Sequence, residues 1–185
     1  MRVFSAIKID YEIAKEICKL LQALEKYKEE IKIVPAKNLH ITLRFLGNIN
    51  TESYQQYLRK LLEGYAKLKS FPIVIHGIGF FPDKTRIRVI WVGLKPSSDL
   101  QRLYEVAERA ACEIGLSPEH RFHGHITVGR AKVPLSVKIL KDIEENFRDF
   151  SWGTMMVEKV TVFESILHSD GPEYKELVHI PLGGD

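Results

Sequence analysis

The segment His40-Ile41-Thr42-Leu43 returns eighty-five positions later as His125-Ile126-Thr127-Val128, each time inside an apolar, β-branched run. Such runs favour strands, and along a strand the side chains at i and i+2 share a face. Each copy therefore aims one imidazole and one hydroxyl in the same direction while the aliphatics between them enter a core. A chain carrying both copies needs two strands, each with one polar and one buried face, and further elements to cover the buried side. One His-x-Thr triplet means little in a chain of this length. Two copies with the same filler residue and the same context direct the rest of the reading.

The remaining chain supplies the covering elements. Asp10 caps a helix whose apolar residues Ile13, Ile17, Leu20, Leu21 and Leu24 recur at helical spacing. Residues 31–34 and 39–46 are strand-like, and the first motif opens the second of these runs. Thr51 is the expected cap of a helix through about residue 68, with Tyr54, Tyr57, Leu58, Leu61, Leu62 and Tyr65 on one stripe. Residues 71–81 and 86–94 form a predicted hairpin around Phe81-Pro82-Asp83-Lys84. A residue among Ser97 to Asp99 caps a third helix that Gly115 ends, and residues 135–147 suit a fourth. Two last strands, 153–165 and 174–182, flank Ser169-Asp170-Gly171-Pro172. The expected architecture is α+β: one domain over residues 1–185 with two pseudo-symmetric lobes. Each lobe carries an antiparallel sheet with helices on its outer face, and an active cleft lies between the sheets.

With 185 residues the chain can build a sizeable core. Its two cysteines, Cys18 and Cys112, fall inside helical patterns, which speaks against a disulfide framework and for a packing role in a reducing compartment. The first ten residues read as a strand rather than a signal sequence. No stretch approaches the roughly 20 apolar residues of a membrane span. A soluble, cytoplasmic monomer without membrane contact is expected. The formal net charge of +3 suits an anionic ligand but falls short of a nucleic-acid-coating protein.

Strict alternation places His40, Thr42 and Arg44 on the polar face of the first motif strand, opposite Ile41, Leu43 and Phe45. The second strand groups His123, His125 and Thr127. Arg130 has the wrong parity unless Gly129 admits a bulge that re-aims it toward the cleft. Two facing imidazoles, one neutral and one protonated, suit general acid–base chemistry, and the two hydroxyls suit phosphate oxygens. His76, His168 and His179 have no companion motif and are expected to be structural, and His120 is expected in a loop. His123 and His125, with Glu119 or His120 near them, form the alternative of a metal-dependent hydrolase. A histidine-triad hydrolase would need histidine at position 127, where Thr127 stands.

With these residues located, the chain resembles the two-histidine phosphoesterase superfamily, and within it the RNA 2′,3′-cyclic phosphodiesterases long labelled 2′-5′ RNA ligases. The resemblance rests on the paired motifs and on Arg2-Val3-Phe4-Ser5-Ala6-Ile7, His40 through Gly47, Arg88-Val89-Ile90-Trp91 and Arg121-Phe122 through Arg130. It implies a bilobal α+β fold and a hydrolase without metal or other cofactor. The implied reaction opens 2′,3′-cyclic phosphate ends of RNA, or a cyclic nucleotide, to 2′-phosphomonoesters, with reverse 2′-5′ ligation possible at the same site. It also implies His40 and His125 as the catalytic pair, with Thr42, Thr127 and Arg130 on the phosphate. The family commonly has proline before the second histidine; this chain has His123-Gly124-His125. A non-catalytic module that binds RNA ends or a nucleotide is the remaining alternative.

Overall fold

The structure, a computed structural model, describes residues 1–183. In chain order it contains β1 (Arg2–Lys8), α1 (Tyr11–Leu24), β2 (Ile31–Ile33), β3 (His40–Asn48), α2 (Thr51–Tyr65), β4 (Phe71–Phe81), β5 (Val89–Leu94), α3 (Ser98–Glu113), β6 (His125–Ala131), α4 (Val137–Phe147), β7 (Ser151–Val157), β8 (Lys159–His168) and β9 (Gly171–Pro181). Helix starts follow side-chain caps: Asp10, Asn50, Ser97 and Ser136 each accept a backbone N–H three residues on. The second helix is thus capped by Asn50, one residue before the predicted Thr51.

The strands run in the order β7-β4-β5-β6-β3-β1-β8-β9, with β2 added beside β6. All recorded pairings are antiparallel. At the centre, β3 meets β6 through the single residue pair Ile41–Ile126, so the two expected sheets are joined at a seam made by the motif strands themselves. Both isoleucines are fully buried. Helices α2 and α3 pack on the lobe of β3 and β9, and α1 and α4 on the lobe of β4 and β7. The opposite face of the seam is left to the motif polar groups.

The lobes do not coincide with the two halves of the chain. The hairpin β4–β5 pairs with β6 and β7 from later in the chain, while β8 and β9 return to β1. The predicted single strand over 153–165 is accordingly two strands, interrupted at Glu158, because the chain crosses there from one lobe to the other. Leu182 N–H donates to the Glu158 carbonyl at 2.8 Å and secures that crossing. Cys18 is partly buried in α1, whereas Cys112, expected to pack, is exposed on α3.

Because Ile41 and Ile126 make the one recorded pairing between the motif strands, each should matter beyond its own volume. Ile41→Ala and Ile126→Ala are each expected to lower stability by about 2–5 kcal/mol. In urea unfolding, the double variant should depart from additivity by at least about 0.5 kcal/mol, as direct neighbours do; strict additivity would mean that the lobes are not joined there.

Candidate active site

The first motif departs from strict alternation. Ala6 pairs with Thr42 and Ser5 with Arg44, so Leu43 is an extra, unpaired residue: a β-bulge. Beyond it the faces exchange. Arg44 turns inward and is 5% exposed, while Phe45 turns out onto the cleft face and is 51% exposed. The prediction that Arg44 shares the face of His40 and Thr42, with Phe45 opposite, is corrected by this bulge.

The second motif carries the same device. Trp91 pairs with Thr127 and Ile90 with Gly129, which leaves Val128 unpaired. This bulge brings Arg130 onto the cleft, with Val128 rather than Gly129 as the extra residue. The two bulges occupy equivalent places, so Arg130 in one lobe corresponds to Phe45 in the other, and Gly129 to Arg44. A side chain at Gly129 has no room, since its Cβ would lie 2.8 Å from Ile31 Cγ2.

Buried Arg44 ties the two motifs together. Its Nε lies 2.8 Å from Glu108 Oε2 on α3, its Nη1 pairs with Glu119, and its Nη2 donates to the Ser117 carbonyl at 2.5 Å. Glu108 Oε1 accepts the Glu119 N–H at 2.7 Å, and Tyr104 Oη donates to the Glu119 carbonyl at 3.1 Å. The segment leading to His125 is therefore clamped from the strand of the first motif. Loss of Arg44 would leave the Glu108 carboxylate, which is largely buried, without its counter-charge.

His40, Thr42, His125, Thr127 and Arg130 all line one cleft of about 330 Å³. Continuing the Ile41–Ile126 register by one residue sets His40 across from Thr127 and Thr42 across from His125. Each imidazole thus has the other motif's hydroxyl as its cross-strand neighbour. Lys32, Phe45, Arg121, His123 and Tyr174 complete much of the remaining wall. His76, His120, His168 and His179 do not line it.

The imidazoles are held alike. His40 Nδ1 lies 2.7 Å from the Asn38 carbonyl and His125 Nδ1 lies 2.7 Å from the His123 carbonyl, in both cases two residues upstream. A carbonyl only accepts, so Nδ1 carries the proton in each ring and Nε2 is left for chemistry. Position 124 is close to two leucines: a Cβ there would come 2.9 Å from Leu94 Cδ1 and 3.0 Å from Leu100 Cδ2. Aromatic walls back both rings. Tyr174 meets His40 edge-on at 5.3 Å between centroids, with Phe4 at 5.1 Å, and Phe81 meets His125 edge-on at 4.9 Å.

Those walls have an electrostatic consequence. Burial disfavours the imidazolium and holds both histidines below the ordinary value of 6.5. Positive neighbours add to this: His125 and Arg130 act on His40, and His123 and Arg130 on His125. The carbonyl acceptors at Nδ1 oppose it. His123 packs on Trp91 at 4.9 Å and lies 6.3 Å from His125, centroid to centroid. Among the described residues no three His, Cys, Asp or Glu side chains converge to hold a metal ion. The paired donors fit an anion better.

One cleft residue escapes a reading of the sequence, and the face of another is misread. Lys32 lies in the short alternation Ile31-Lys32-Ile33, a signal that places it on the face opposite its neighbours. Phe45 is masked by the bulge. The sequence offers Phe45, Phe80, Trp91 and Tyr174 as aromatics that could stack a base, each more expected in the core; Phe45 and Tyr174 line the cleft, Phe80 is core, and Trp91 packs behind His123 and His125.

Removing the Arg130 charge should raise the pKa of both imidazoles, because that cation opposes a second positive charge on either ring. NMR titration of Arg130→Met against the parent protein checks this. No upward shift in either histidine would place Arg130 too far away to act.

Comparison with known proteins agrees with this geometry. The model of the LigT-like phosphoesterase family matches residues 7–91 and again 92–174. The RNA 2′,3′-cyclic phosphodiesterase of Methanocaldococcus jannaschii is 33% identical over 95% of this chain and 97% of its own. Among solved structures, TT0787 of Thermus thermophilus superposes with a TM-score of 0.82 at 26% identity, covering 100% of both chains. Escherichia coli LigT complexed with 3′-AMP gives 0.76 at 27% identity, covering 98% of this chain and 96% of that one. Among the described residues no helix is long and apolar enough to cross a membrane. With two matched repeats spanning nearly the whole chain and a motif histidine in each, the protein belongs to the LigT-like phosphoesterase family.

Proposed function

We propose that the protein hydrolyses 2′,3′-cyclic phosphate ends of RNA to 2′-phosphomonoesters, with His40 and His125 as its acid and base. The observation that carries this reading is the matched anchoring of the two imidazoles, each protonated at Nδ1 by its contact with a carbonyl two residues upstream. Both belong to a cleft that also holds two hydroxyls and Arg130. The names of relatives, RNA 2′,3′-cyclic phosphodiesterase, and the binding of 3′-AMP by E. coli LigT support the choice of substrate class.

In the proposed step His125 Nε2 takes a proton from water as the oxygen attacks phosphorus. The bond from phosphorus to the 3′ oxygen breaks, and His40, which enters the step as an imidazolium protonated at Nε2 as well as Nδ1, delivers the Nε2 proton to that oxygen. The phosphate stays on the 2′ oxygen. Thr42, Thr127 and Arg130 bind the non-bridging oxygens, where negative charge accumulates. The rings end with exchanged protonation, and solvent restores them. A 5′ hydroxyl replacing water would instead form a 2′-5′ linkage, so the same site can join ends when these are concentrated.

Turnover of a nucleoside 2′,3′-cyclic phosphate in excess chelator tests the proposal. The parent protein should be active, and His40→Ala and His125→Ala should each lose at least about 100-fold in kcat, as removal of a general acid or base does. Binding of the cyclic nucleotide with no ring opening would support a binding module instead. Activity abolished by chelator would support a metal-dependent hydrolase.

A further inference from the structure

Lys32 on β2 and Arg130 on β6 are direct partners across an antiparallel pair. Two cations standing opposite each other cost stability when nothing anionic lies between them. Some lysines of this chain are neutralised across the fold: Lys8, Lys26, Lys60 and Lys84 each hold a carboxylate from another part of the sequence. Lys32 and Arg130 hold none among the described residues. Both line the cleft that contains the motif histidines. Lys32 Nζ also lies 3.5 Å from the point that a Cβ on Gly171 would occupy, so it rests over the β8–β9 turn that carries Pro172 and Tyr174 to the cleft wall.

The position of this pair along the strand matters. Thr127 stands at the seam, and Arg130 lies three residues beyond it, at most about 10 Å along the backbone. The equivalent place in the other lobe is Phe45, so the Arg130 cation has no counterpart there. With Arg130 assigned to the cyclic phosphate, its cross-strand partner Lys32 is left for a second anion farther along the cleft.

We propose that Lys32 binds the phosphate on the 5′ side of the terminal nucleotide, beside Arg130, which stays on the cyclic phosphate. The protein would then select ends that carry a 5′ phosphate, or a chain continuing from it, over free cyclic mononucleotides. This inference rests on the reading of the seam as the cyclic-phosphate site.

The test compares adenosine 2′,3′-cyclic phosphate with its 5′-phosphorylated form in the parent protein, Lys32→Ala and Lys32→Arg. The parent should turn over the 5′-phosphorylated substrate with the lower KM. Lys32→Ala should lower kcat/KM for that substrate about tenfold more than for the unphosphorylated one, mainly through KM, as loss of one charge-assisted contact does. Lys32→Arg should keep the preference, and added salt should weaken it in the parent more than in Lys32→Ala. Absence of any preference in the parent, or equal losses on both substrates, would overturn the inference. If the parent opens neither ring, the hydrolytic reading fails by itself. Calorimetric affinities for adenosine 2′-phosphate and adenosine 2′,5′-bisphosphate in the same three proteins then decide the role of Lys32, with retention of the 5′-phosphate advantage in Lys32→Ala as the contrary result.

Discussion

The joint between β3 and β6 is the constraint on which the site depends. One residue pair, Ile41 with Ile126, makes the recorded strand pairing between the two lobes, over a hydrophobic core that they share. Because the pairing is antiparallel, it sets each motif histidine beside the other motif's threonine. A shift by one residue would send the imidazoles toward the helices and the isoleucines into the cleft. Full burial of both isoleucines under the helix layer is what opposes that shift.

The bulges that follow turn a symmetric frame into an asymmetric site. Each lobe inserts one residue after its His-x-Thr triplet, at Leu43 and at Val128, and each then exchanges its inward and outward faces. In one lobe the exchange buries an arginine and exposes a phenylalanine; in the other it buries a glycine and exposes an arginine. Arg44 thereby becomes the buried clamp on the Ser117–Glu119 segment, while Arg130 becomes a cation of the cleft. Local rotamer freedom is limited further by the carbonyls that hold each Nδ1. Electrostatics completes the arrangement: partial burial against aromatic walls and nearby positive charge keep either ring from holding a proton tightly.

Much of this is legible in the chain, for identifiable reasons. The duplicated triplet gives two strand faces by parity alone, and the capped amphipathic stripe from Ile13 to Leu24 is buried as its spacing requires. Where alternation is broken by tertiary pairing, local pattern fails. Nothing in Leu43-Arg44-Phe45 announces an unpaired residue, so strict parity puts Arg44 and Phe45 on each other's faces. At Arg130 the neighbouring Gly129 offers a hint, although the bulged residue is Val128. The break at Glu158 and the interleaving of chain halves arise from which strands find each other in space, and a β-branched run such as Met156 to Val162 carries no mark of it. Lys32 gives a weak signal because its strand is three residues long.

The dependence of kcat/KM on pH for a nucleoside 2′,3′-cyclic phosphate tests the central claim, that two similarly held imidazoles act as acid and base on one phosphate. The acidic limb reports protonation of the base, and the alkaline limb reports loss of the proton from the acid. Since burial and positive neighbours hold both rings below the ordinary histidine value of 6.5, the expected profile is a bell with both limbs lying below it. A profile with a single limb, or with a plateau extending through neutral pH, would contradict it.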